Sequence, residues 1–189
     1  MIYLASTSPR RKRILKEFKI GFKAIKPNYE EKNHPRLLPG TLVRKHALAK
    51  AVSCLLKVKE GTILGVDTLV FCKNKIIGKP LNAKDAFKIL NFLQGSWHTV
   101  YTGVAILKVQ DHKIIQRRVL VEKTKVRLKP LDRSAIELYF KKISPLDKAG
   151  AYAIQTKKAN IISEVKGSLY NAIGLPVERL MNGNRFLGL

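Results

Sequence analysis

Residues Leu4-Ala5-Ser6-Thr7-Ser8-Pro9-Arg10-Arg11 join a short apolar strand directly to a helix start. Ser8 suits the N-cap, and Pro9 fits the first helical position, where its missing N–H costs nothing. The first turn of a helix presents unpaired N–H groups and partial positive charge, which favours Asp or Glu and attracts anions. Arg10 and Arg11 stand at that end instead. An external anion, such as a phosphate chain, resolves the conflict. The segment therefore commits the chain to a β–α opening with an anion site at its joint.

Hydrophobic periodicity extends this opening along the chain. Strands are predicted over 2–5 and 22–25, with a helix over 9–18 between them. A polar, Pro-rich stretch over 28–40 carries Glu30 and Glu31. Thr41 can cap a long helix to about residue 57, with Leu48, Val52, Leu55 and Leu56 as its apolar face. A strong strand over 62–72 turns at Lys73-Asn74-Lys75 into 76–78. Asn82 caps a helix to Leu93, and two long strands, 98–109 and 114–126, form a hairpin around Asp111-His112. A helix over 132–142, short strands over 151–155, 161–165 and 168–172, and a closing helix over 175–186 complete the chain. Hairpins mixed with crossovers predict an α/β fold with a mixed sheet, in one domain over 1–189.

Thirty-seven Lys and Arg face thirteen Asp and Glu, a formal charge of +24. Such a balance implies anionic company, although a Lys-rich surface is the plainer explanation. Cys54 and Cys72 lie in apolar contexts without CxxC spacing and read as buried free thiols of a reducing compartment. The four histidines have no ligand spacing. No apolar run approaches the roughly 18 residues of a membrane span and no signal-type segment opens the chain, so a cytoplasmic protein without membrane contact is expected.

Asp67 interrupts an otherwise apolar strand in Gly65-Val66-Asp67-Thr68. An ionised carboxylate there needs a pairing group, a metal or backbone donors. It could equally ligate Mg²⁺ or serve as a base for water. Gly65 permits close approach of a backbone or a ligand. Glu30 and Glu31 point opposite ways on an extended chain, so one of them would face a given site. Pro80 holds Lys79 extended, which suits a lysine offered to a phosphate, or a solvated one. Lys50 projects away from Leu48 and Val52 and reads as a surface lysine. Gln155 ends an apolar run and could read a base edge or bond a neighbouring backbone. Neither G-x-x-x-x-G-K-[ST] nor G-x-G-x-x-G is present.

In order, these pieces resemble the Maf family of nucleoside triphosphate pyrophosphatases almost end to end. The matching blocks are Ser6–Arg11, Glu30-Glu31, Lys50 in its A-x-K-A setting, Gly65–Thr68 and Gly78-Lys79-Pro80. Leu93–Gly103, Asp147–Gln155 and Gly167–Pro176 continue the match. The resemblance implies an elongated mixed sheet with flanking helices and a cleft between two lobes, similar to inosine triphosphate pyrophosphatases. It implies hydrolysis of a nucleoside triphosphate to monophosphate and pyrophosphate, with Mg²⁺ or Mn²⁺. Asp67 would be the base, with Glu30 beside it on the metal. Ser6, Arg11, Lys50 and Lys79 would contact phosphates, and Arg10, Thr68 and Gln155 would govern substrate choice. Thr68 with Gln155 looks like the dTTP/UTP branch. Thr156-Lys157-Lys158 departs from the glycines many relatives carry there.

The rival reading is a basic nucleic-acid-binding or regulatory protein that keeps the fold; a pyrophosphatase for methylated nucleotides is a third. Against the rival, the linear sequence holds no aromatic-rich basic motif. Nucleic acid is thus not a required partner, and a homodimer is compatible with the sequence.

Overall fold

The computed structural model describes residues 1–31, 37–155 and 160–182. β1 (Ile2–Ala5) lies between β2 (Phe22–Ile25) and β3 (Glu60–Cys72) and is parallel to both, with Ala5 opposite Ile25 and Gly65. β4 (Lys75–Ile77) pairs antiparallel with β3. Strand order then runs from β3 through β5 (Trp97–Gln110) and β6 (Lys113–Leu128) to β7 (Ile162–Lys166), which is antiparallel to β6. The result is a seven-stranded mixed sheet flanked by helices. The helices are α1 (Pro9–Glu17), α2 (Pro39–Val52), α3 (Ala83–Leu93), α4 (Arg133–Lys142), α5 (Leu169–Ile173) and α6 (Val177–Met181). Two-residue links close both tight hairpins. Lys73-Asn74 and Asp111-His112 each take left-handed backbone, with φ of 46° then 59°, as such turns require.

Two compact units make up the chain: 1–68, 102–122 and 174–189 form the first, and 69–101 and 123–173 the second. In the first, Ala5, Ala47, Ala51, Cys54, Ile63, Ala105 and Leu107 form a core unusually rich in small residues. The cause is the seat of α2. A Cβ at Gly65 of β3 would lie 2.2 Å from the Ala47 carbonyl oxygen, and one at Gly103 of β5 would lie 2.3 Å from that of Val43. The helix thus rests on two glycines with its main chain against the sheet. Its buried face is Leu42, Val43, His46, Ala47, Lys50 and Ala51.

That seat overturns the expected orientation. Val52 is 43% exposed and Leu56 84%, whereas Lys50, read as a surface lysine, is buried. The helix also starts earlier, with Pro39 in its first turn, and stops at Ser53, whose hydroxyl donates to the Lys50 carbonyl. A separate single turn over Leu55–Lys57 follows.

The second unit packs α3, α4 and one face of its strands around Val70, Leu90, Leu93, Val100, Val126, Leu128 and Ile136. Asn82 and Asp132 cap α3 and α4 through their side chains, as their types favour. Two predicted short strands are absent. Residues 151–155 form no strand, because the Tyr139 hydroxyl, not a neighbouring strand, accepts the Ala153 N–H at 2.9 Å. Residues 168–172 begin a helix instead, where the Ser168 hydroxyl accepts the Asn171 N–H at 2.9 Å. The Thr156-Lys157-Lys158 departure and the closing helix beyond residue 182 lie outside the described residues. Cys54 and Cys72 are buried free thiols, as expected. Among the described residues no helix is long and apolar enough to cross a membrane.

Gly65→Ala is expected to drive a methyl group into the main chain of α2 and to cost about 2–3 kcal/mol, the upper range for overpacking. Gly78, with nothing within 4 Å of a built Cβ, is the control, and Gly78→Ala should be near neutral. Urea midpoints of the two variants decide the point; equal midpoints would mean that α2 does not bear on Gly65.

Candidate active site

The seat of α2 also sets the geometry around Asp67. Strand alternation puts Asp67 on the same side of β3 as Gly65, facing α2. Helical spacing puts Lys50 on the same side of α2 as His46 and Ala47. The two side chains meet in a bond of 2.6 Å between Lys50 Nζ and Asp67 Oδ1, both buried. Lys50 Nζ also reaches Glu31 Oε1 at 2.5 Å. One ammonium therefore sits between two carboxylates. Both adjacent acids are exposed, and Glu31 is the one that makes this contact. Asp67 thus has the pairing group that its apolar strand demanded.

Tyr29 anchors the segment that delivers Glu31. Its hydroxyl and the Nδ1 of His46 are 2.8 Å apart, with the rings tilted and 5.7 Å between centroids. Burial lowers the pKa of His46 from its ordinary value, so the neutral ring is favoured. Burial, with the charges of Asp67 and Glu31, raises that of Tyr29, which keeps its proton and its hydrogen bond.

Thr68 follows Asp67 and points the other way, to α1. Arg11 donates from Nη2 to Thr68 Oγ1 at 3.1 Å, from Nη1 to Ser6 Oγ at 3.1 Å and from Nε to the Gly174 carbonyl at 3.0 Å. Thr68 and Thr102 hydroxyls lie 3.0 Å apart and extend this network to β5. All three oxygens that hold Arg11 are neutral. Its pKa is lowered to about 10, chiefly through burial and against the pull of Asp67, so the guanidinium keeps its charge at neutral pH. Ser6 Oγ also accepts the Ser8 N–H at 3.2 Å. Ser8 occupies the N-cap of α1 as expected, but its side chain makes no capping bond, and no acid stands in the first turn. Half-buried Arg10 lies in that turn and adds its charge to the field at Arg11.

Ser6, Arg11, Lys50, Asp67 and Thr68, five residues singled out in the sequence, thus come together in the first unit. Lys79 and Gln155 belong to the second unit, the former exposed beyond Gly78 and the latter half-buried at a turn. Sequence reasoning missed four participants: His46, Tyr29, Thr102 and the Gly174 carbonyl. Only His46 had a local signal, four residues before Lys50 and hence on the same helix face.

As a cation site the donor set is hard oxygen, from Asp67 and Glu31. Among the described residues no three His, Cys, Asp or Glu side chains gather into a protein-only metal cage. Two carboxylates are the kind of donor set by which Mg²⁺ is held on nucleotide substrates.

Removing the cation should expose the strain of this pairing. Lys50→Met is expected to cost about 3–5 kcal/mol by leaving Asp67 buried without its partner. Adding Asp67→Asn should recover part of that loss, so that the double variant outlasts the Lys50→Met single in urea. Strictly additive losses would show that the two side chains are not coupled.

Set against known proteins, the chain has clear relatives. The profile of the family described as "Maf-like protein" matches residues 1–183. A dTTP/UTP pyrophosphatase of Dictyoglomus thermophilum is 40% identical over 180 residues, covering 95% of this chain and 92% of that one. One of the same name from Thermosipho melanesiensis is 43% identical over 180 residues, covering 95% and 93%. Among solved structures, a nucleoside-triphosphatase / dITP/XTP pyrophosphatase from Mycobacterium abscessus aligns at 14% identity with a TM-score of 0.44, over 98% of this chain and 93% of that one.

Proposed function

From the premise that this chain belongs to the Maf-like family, we propose that it hydrolyses dTTP and UTP to the monophosphate and pyrophosphate. The observation that carries the reading is the convergence of Asp67, Lys50, Glu31 and Arg11 beside an uncapped helix start, in a chain about 40% identical to proteins named for that activity. A triphosphate brings about four negative charges, and the site answers with Arg10, Arg11, Lys50 and the N–H groups of α1. Arg11 is pre-oriented by neutral oxygens, so among the described residues its hydrogen bonds leave its charge uncancelled.

Hydrolysis then needs little beyond positioning and charge. Asp67 takes a proton from a water molecule whose oxygen forms a bond to the α-phosphorus. The bond from that phosphorus to the bridging oxygen of the β-phosphate breaks, and pyrophosphate leaves with the electron pair. Lys50, held between Asp67 and Glu31, offers its ammonium to the phosphate chain as a movable point charge. Asp67 and Glu31 would hold a divalent cation, which supplies charge neutralisation on the phosphates and acidifies bound water. Lys79 would bind phosphate and Gln155 would bear on the choice of base; Thr68 acts by fixing Arg11.

With Mg²⁺ and dTTP, pyrophosphate release by Asp67→Asn is expected to fall at least ~100-fold, the usual scale for a positioned base. Near-normal turnover would remove Asp67 from the mechanism. Glu31→Gln should raise the Mg²⁺ concentration needed for half-maximal rate more than Glu30→Gln does; the reverse order would return the metal position to Glu30.

Gln155→Ala is expected to change the ratio of pyrimidine to purine triphosphate hydrolysis more than the best rate. An unchanged ratio across a nucleotide panel removes that role.

A further inference from the structure

The second unit carries a feature that triphosphate hydrolysis does not use. Alternation along its strands sends His98, Val100, Thr124 and Val126 into the core. The opposite face presents Phe71 of β3, Trp97 and Tyr101 of β5, Lys123 and Lys125 of β6, and Lys166 of β7. The three rings are half-buried and the three lysines exposed. Lys125 and Lys166 are register partners across β6 and β7. Lys166 Nζ stands 4.9 Å from the Trp97 ring centroid and Lys123 Nζ 5.4 Å from that of Tyr101. Phe71 meets Tyr101 edge-on at 6.3 Å. Phe71, Trp97, Lys125 and Lys166 also line an open depression on this face.

Aromatic rings interleaved with lysines on an open sheet face form a stacking platform inside a cationic groove. Among the described residues, the acid paired with these lysines is Glu164, which meets Lys166 at 3.2 Å, so three lysines face one carboxylate there. A second copy is a poor occupant, because two such faces, each on a chain of charge +24, repel. A flat anionic surface would meet the lysines but not rings recessed in a depression. We propose that this face binds single-stranded nucleic acid, with bases stacked on Trp97 and Tyr101 and backbone phosphates on Lys123, Lys125 and Lys166. Unpaired bases have exposed π-faces to offer; a duplex hides them.

Trp97 is the only tryptophan in the chain, so its emission reports on this face alone. Titrating the full-length protein with a short oligodeoxyadenylate should quench that emission saturably, with an affinity that falls log-linearly as salt rises. Tyr101→Ala is expected to weaken binding by about tenfold or more, the scale of one lost stacking partner. The exposed substitution Lys125→Glu, which leaves the core untouched, should weaken it too and flatten the salt slope. Arg11→Ala, in the other unit, should leave it unchanged; loss of binding there would move the oligonucleotide to the triphosphate site and overturn the proposal. It is also overturned if Trp97 is not quenched, or if a duplex binds as tightly and Tyr101→Ala has no effect. Quenching by anionic vesicles alone, or by self-association alone, overturns it as well.

Discussion

A buried ammonium shared by two carboxylates is the interaction around which the first unit is arranged. Lys50 has lost most of its water, and so has Asp67; each is tolerable only in the presence of the other. Two unlike periodicities must agree for them to meet, the two-residue repeat of β3 and the helical repeat of α2. Glu31 then arrives from a segment anchored by Tyr29 on His46. On the proposed function, these contacts set the positions of Lys50 and Asp67 before a ligand enters, which is what catalysis by positioning requires.

Arg11 is organised on the opposite principle. Its partners are two hydroxyls and a carbonyl, all uncharged, and they fix the plane of the guanidinium without spending its charge. Lys50 has two carboxylates in direct contact, whereas Arg11 is oriented by neutral partners and feels Asp67 and Glu31 only at a distance. On the proposed function, the arginines that oppose the α1 dipole are half of an interaction whose other half is the substrate's phosphate chain.

Much of this was legible in the linear chain. Asp67 was conspicuous because a lone carboxylate in an apolar strand demands an explanation, and Ser6 to Arg11 because Arg stands where Asp or Glu is favoured. The long hairpin was readable from alternating runs on either side of Asp111-His112, and the shorter one from a turn expected at Lys73-Asn74-Lys75, which the structure closes with Lys73-Asn74 alone. Lys50 was not, since helix periodicity ranks faces by the size of their apolar side chains, and here the face of Ala47 and Ala51 docks. Only the pairing of α2 with glycines on two strands reverses that ranking, and no local pattern encodes it. Residues 151–155 failed as a strand for a similar reason: the competitor for their backbone was a hydroxyl on α4, distant in sequence. The aromatic–lysine face escaped notice because its members come from four strands.

The rest of Gly65 and Gly103 against the carbonyls of Ala47 and Val43 carries one more implication. Most cores set their spacings through side chains, which drift as one hydrophobe replaces another. Here the separation of helix from sheet is set by polypeptide touching polypeptide. The gap that Lys50 must bridge is set by these two approaches and not by the size of the hydrophobes packed elsewhere in the unit. The chemistry is insulated from turnover in the packing around it, and the two positions without side chains are what insulate it.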